Sequence, residues 1–136
     1  MLIPINNGLE LEKYKWTQNH KDITIIIPIT ENISRKDIII KFNHNKLYVN
    51  ILGCVIINGD LFGNVITDNC TWIMDGNDLI IELDKKKFDE WWKYAIEGEP
   101  EIDLSKIVTD KGSYEYMDQD TRMTIEKMIQ EQKLNK

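Results

Sequence analysis

The residue types that most often carry out chemistry are sparse in this chain. Two cysteines, Cys54 and Cys70, stand sixteen positions apart, without the Cys-x-x-Cys spacing of zinc or redox sites. With no secretion signal preceding them, they read as reduced thiols. His20 and His44 lie in polar, turn-like stretches and lack the close pairing of zinc ligands. No metal site is predicted. There is no Gly-x-Ser-x-Gly elbow, no Walker loop and no Gly-x-Gly-x-x-Gly turn, and neither histidine comes with a recognisable nucleophile. The 23 carboxylates read as surface solvation, not as a catalytic pair. The expectation is a protein that is not an enzyme and uses no cofactor.

The aromatic residues say more. Trp16, Trp72, Trp91 and Trp92 are four tryptophans in 136 residues, a high density. Trp72, inside a strand pattern, is expected in the core. Adjacent Trp91 and Trp92 cannot both point the same way. One is expected to anchor the segment after the last strand, and the other to lie near the surface. Aromatic side chains are enriched at interaction hot spots, so Trp91 and Trp92 are candidate protein-binding residues, although packing is the favoured role for the pair. Glu99, Glu101 and Asp103 follow in an acidic stretch. They are candidates for steering the chain toward basic partner surfaces.

Composition narrows the class further. Apolar residues make up 42% and charged residues 29%, an ordinary globular balance for one domain. The 17 basic and 23 acidic residues leave a net charge of −6, the wrong sign for a nucleic-acid partner. Lys85-Lys86-Lys87 is the only dense basic run and reads as a solvated edge. Residues 97–136 hold ten acidic and six basic side chains and form the acidic third. Apolar stretches are only a few residues long, too short to span a membrane. Met1-Leu2-Ile3-Pro4 carries no basic segment ahead of an apolar run. A cytoplasmic protein with no membrane partner is expected.

These residues must be positioned mainly by strands. Ile23, Ile25, Ile27 and Ile29 alternate with Thr24, Ile26 and Pro28, the period of a half-buried strand. The alternation returns at Ile38–Ile40–Phe42, Leu47–Val49–Ile51 and Leu79–Ile81–Leu83. Asn43-His44-Asn45, Asn58-Gly59-Asp60 and Asp75-Gly76-Asn77 are read as the separating turns. Pro28 marks an edge or a strand exit, because it cannot donate to a ladder. The pattern predicts an antiparallel β-sandwich of seven to eight strands. After Lys87 the character changes: Phe88 to Ile96 reads as one or two helical turns. Residues 97–116 read as irregular, and a helix is expected from about Asp118 to Lys133. The parse is a short extension over 1–13, a sandwich over 14–96 and a C-terminal segment over 97–136 whose helix packs on the sandwich.

Several motifs stand in a recognisable order. Tyr14-Lys15-Trp16-Thr17-Gln18 resembles the opening Tyr-x-Trp-x-Gln of CS domains in the nuclear distribution protein C (NudC) family. The resemblance continues through Ile56-Ile57-Asn58-Gly59-Asp60-Leu61, Trp72, Glu90-Trp91-Trp92 and Pro100-Glu101-Ile102-Asp103. It closes on Asp118-x-Asp120-Thr121-Arg122 and Glu126-Lys127-Met128, so it spans about residues 14–133. One departure is that Gly53-Cys54-Val55-Ile56 is a residue shorter than usual and lacks a commonly seen proline. The resemblance implies a compact antiparallel sandwich like those of small heat-shock proteins. It also implies a co-chaperone that binds heat-shock protein 90 or its clients; with no phosphate-cradling glycine loop in the sequence, that binding is expected to be independent of ATP. The alternative it implies is an adaptor in the dynein and lissencephaly-protein pathway of nuclear movement.

Overall fold

The isoleucine-rich alternation becomes sheet because β-branched side chains pack well on a pleated surface and lose χ1 freedom in a helix. The computed structural model describes residues 1–30, 32–88 and 90–108. Their strands are β1 (Leu9–Glu10), β2 (Lys15–Gln18), β3 (Asp22–Pro28), β4 (Ile38–Asn43), β5 (Lys46–Ile51), β6 (Cys54–Asp60), β7 (Thr71–Asp75) and β8 (Asp78–Asp84). They pair antiparallel in a five-stranded sheet of order β1-β2-β3-β8-β7 and a three-stranded sheet of order β4-β5-β6. Met1–Lys106 form one compact unit, and Ile107 and Val108 are the described part of a second.

Burial follows the alternation. Trp16, Ile23, Ile25, Leu79, Ile81 and Leu83 of the larger sheet, and Leu47 and Val49 of the smaller, are almost wholly buried. Full burial of such a side chain contributes about 1.5–3 kcal/mol. Pro28 is the last residue of β3, opposite Asp78 and beyond the final β2 pair at Lys15–Ile26. It is therefore a strand exit.

Three expectations are corrected. Asn58-Gly59-Asp60 is not a turn: β6 runs to Asp60, with Gly59 opposite Leu47 and Asp60 opposite Lys46. The missing side chain of Gly59 makes room, since a Cβ there would come within 2.7 Å of Ile96 Cγ2. The actual β5–β6 turn is Leu52-Gly53, with φ of +53° and +80°, the two positive values of a primed hairpin turn. The described residues of 88–96 are not helical. Their backbone groups bond elsewhere instead: the Lys93 carbonyl accepts from Ile102 N–H at 2.9 Å, and Ile96 pairs with Leu61 in an antiparallel bridge that Glu97 N–H continues by donating to the Asp60 carbonyl at 2.8 Å. Trp72 is on the inward-facing side of β7, paired with Ile81, but it is only half-buried. β7 is an edge strand, and the Arg35 guanidinium covers the ring, 4.3 Å from its centroid.

Residues 1–13 contribute β1 to the larger sheet. Leu2 also pairs with Ile102 in a parallel bridge, its N–H donating to the Glu101 carbonyl at 2.9 Å and its carbonyl accepting from Asp103 N–H at 2.7 Å. The helix expected over 118–133, and its packing, lie outside the described residues.

Candidate protein-docking site

Strand parity places two polar side chains inside the sandwich. Gln18 follows Tyr14 and Trp16 at period two, so its amide points where theirs do, and it is buried. Its Nε2 donates to the carbonyls of Asn7 at 3.0 Å and Trp92 at 2.9 Å. Its Oε1 accepts from Trp92 N–H at 3.0 Å and from Lys85 Nζ at 2.8 Å. Both amide hydrogens and both lone pairs are used. Lys85 follows Leu79, Ile81 and Leu83 at the same period and is fully buried. Its ammonium also donates to the carbonyls of Asn19 at 2.8 Å and Glu90 at 2.9 Å, and it lies 4.7 Å over the Trp91 ring. Burying a cation is costly unless dipoles replace its water, and here the oxygens of Gln18, Asn19 and Glu90 and the Trp91 π-face contribute to doing so. Lys86 and Lys87 are solvated as expected. Lys85 is the exception, and it closes a clasp between β2, β8 and the segment that follows.

This clasp separates the two tryptophans. Trp92 has no exposed surface, and its ring lies 6.2 Å from that of Phe62. It packs and is not available as a contact residue. Trp91 is half-buried, with the Lys85 ammonium over its ring. The acidic candidates belong to a different junction. The Glu101 side chain is exposed while its carbonyl holds Leu2. The Asp103 carboxylate accepts from Ser105 Oγ at 2.7 Å and Ser105 N–H at 3.0 Å, and these bonds hold it below the usual carboxylate range. Glu99 is half-buried; burial first, and then the Glu99 charge, push the Tyr14 phenol far above its ordinary value. Desolvation, with the charges of Glu97, Glu101 and Asp60, raises the Tyr94 phenol.

A feature absent from the sequence reading lies at the end of the sandwich where the sheets part. Ile27, Pro28 and Ile29 from β3 and its exit face Ile51, Leu52 and Ile56 from the β5–β6 hairpin across an open groove of about 560 Å³. Among the described residues, its charged lining residues are Glu12 and Lys13. Leu52, half-exposed at 50%, occupies the left-handed region, which costs a side-chain-bearing residue roughly 1–2 kcal/mol. The turn places an apolar side chain at this rim where asparagine would be unstrained.

The geometry defines a CS domain: the CS domain family model matches residues 12–85. Among solved structures, the chain is similar to the CS domain of the human KIAA1068 protein. That match has a TM-score of 0.64 at 25% identity, covering 71% of this chain and 82% of that one. Among curated proteins, it is 37% identical to the nuclear movement protein nudC of Dictyostelium discoideum, over 89% of this chain and 72% of that protein. It is 36% identical to protein BOBBER 2 of Arabidopsis thaliana over 93% of this chain. The chain belongs to the NudC family of CS-domain proteins. It spans less than half the length of the Arabidopsis relatives it matches, 44% of BOBBER 2 and 42% of BOBBER 1.

Proposed function

We propose that the protein is a NudC-type co-chaperone, an ATP-independent module of the cytoplasm that holds non-native clients and docks on heat-shock protein 90. The observation that carries the reading is the open apolar groove with strained, half-exposed Leu52 at its rim. Exposed apolar surface of this kind suits a protein–protein contact, and backbone strain at a surface turn suits a functional role. A holding module lowers the free concentration of an aggregating state by mass action. Protection therefore rises with the ratio of protein to client and levels off at saturation.

Light scattering of a heat-stressed client, titrated with and without ATP, tests this. The expected result is stoichiometric protection that ATP does not change. Full protection at a small fraction of the client concentration, or a dependence on ATP without another chaperone, overturns it. A second reading, an adaptor for dynein or lissencephaly-pathway proteins, is favoured by the nuclear-movement name of the Dictyostelium relative. Affinity capture that recovers dynein components, together with no protection at any ratio, selects that reading.

A further inference from the structure

The outer face of the five-stranded sheet is unlike the groove. Register aligns Lys15, Ile26, Ile80 and Ile73 in one row across β2, β3, β8 and β7. Three isoleucines thus stand side by side on the solvent side, with Ile73 53% exposed. The row on one flank is Pro28, Asp78 and Asp75, and the row on the other is Thr24, Glu82 and Thr71. An apolar stripe therefore runs between carboxylates. At its β2 end lies a pocket of about 220 Å³, floored by Ile26 and Pro28 and edged by Glu10, Glu12 and Asp78. Among the described residues the cation there is Lys15, which stands directly opposite Glu10 in the register.

We propose that this face docks a protein segment that combines apolar side chains with lysine or arginine. The proposal rests on the reading of the protein as a protein-binding module. Apolar side chains of the segment cover the Ile26–Ile80–Ile73 stripe. A basic side chain enters the pocket, its alkyl stem on Ile26 and Pro28 and its head among Glu10, Glu12 and Asp78. Charge decides the occupant. A second copy would bring the same carboxylates face to face on a chain of net charge −6, and acidic segments are repelled for the same reason.

The probe is a peptide of roughly 18 residues with leucine and lysine at helical spacing, compared with its leucine–glutamate counterpart. Methyl NMR of the full chain follows every isoleucine. The lysine peptide is expected to shift Ile26, Ile73 and Ile80, and to bind more weakly as salt rises from about 50 to about 300 mM. The glutamate peptide is expected to leave them unmoved. Ile73→Lys and Asp78→Lys, each checked for native circular dichroism, are both expected to weaken binding by roughly tenfold or more. Shifts spread over other methyls, equal binding of both peptides, or unchanged affinity in the two variants overturn the proposal. Concentration-dependent pairing of the chain through these methyls overturns it in favour of a second copy. Light scattering on the same variants separates the two readings. Client protection that persists while the peptide fails to map here sinks this surface alone, and mapped binding without protection sinks only the holding function.

Discussion

Replacing Gln18 by leucine keeps the volume of the side chain, excludes water from its site and removes four hydrogen bonds at once. The N–H and the carbonyl of Trp92 then lose their partners inside a buried site, each at about 1–3 kcal/mol. Lys85, a cation with no exposed surface, loses the Gln18 oxygen from among the oxygens described around it. The Asn7 carbonyl is in a half-buried stretch and can rehydrate. The expected loss is about 4 kcal/mol, a large share of the roughly 5–15 kcal/mol that holds a domain together. Gln18→Glu is expected to be milder. It keeps an oxygen for Lys85 and for Trp92 N–H, but turns an acceptor toward the carbonyls of Asn7 and Trp92. Urea unfolding followed by tryptophan fluorescence measures both variants, and hydrogen exchange at the Trp92 amide reads the clasp directly. A Gln18→Leu protein within about 1 kcal/mol of wild type, or a Trp92 amide as protected as before, would refute the clasp as the link between β2 and the segment after β8.

Four further outcomes follow from the same structure. Trp16→Ala is expected to lower stability by about 3–5 kcal/mol, since Trp16 is 1% exposed; an unchanged urea midpoint with lost partner binding would make it a contact residue instead. Leu52→Asn, which relieves the left-handed strain ahead of Gly53, is expected to raise stability by about 1 kcal/mol. A drop in the unfolding midpoint counts against that turn. Thiol labelling of the native chain is expected in two phases, Cys54 fast because it is exposed and Cys70 slow because burial both shields and raises its thiol; a single phase contradicts this. Burial, then the hydrogen bond to and charge of Asp84 opposite it, raise the Asp22 carboxyl above its ordinary value. A raised folded value gives stability below the unfolded pKa that is lost as pH rises through the folded one. Asp22→Asn should therefore be more stable than wild type at neutral pH, with the advantage fading as pH falls through the raised folded value and gone below about pH 4; urea midpoints that differ equally at the two ends of that window argue against the pair.

Parity along a strand is a local property, so the sequence by itself determined the two-faced strands, the antiparallel sandwich and most of its core. Ile23, Ile25, Ile27, Leu47, Val49, Leu79, Ile81 and Leu83 are buried as their alternation requires. The same rule already placed Gln18 behind Trp16 and Lys85 behind Leu83; polarity and the neighbouring Lys86 and Lys87 hid it. Only the tertiary structure decided what those inward polar groups meet, because Gln18 and Trp92 lie 74 positions apart and no local pattern encodes a partner so distant. It also decided which of two adjacent tryptophans is buried, since a non-helical segment takes its direction from the backbone groups it bonds. Turn signals were ambiguous for a related reason. Asn58-Gly59-Asp60 has turn composition, yet ladder bonds to β5 and the Ile96 side chain over Gly59 hold it as strand. At Leu52, closure of the β5–β6 hairpin imposes a left-handed backbone on a residue that would not choose it. The groove and the acidic-flanked isoleucine stripe arise from register and from the junction of two sheets, and both exist only once distant strands have paired.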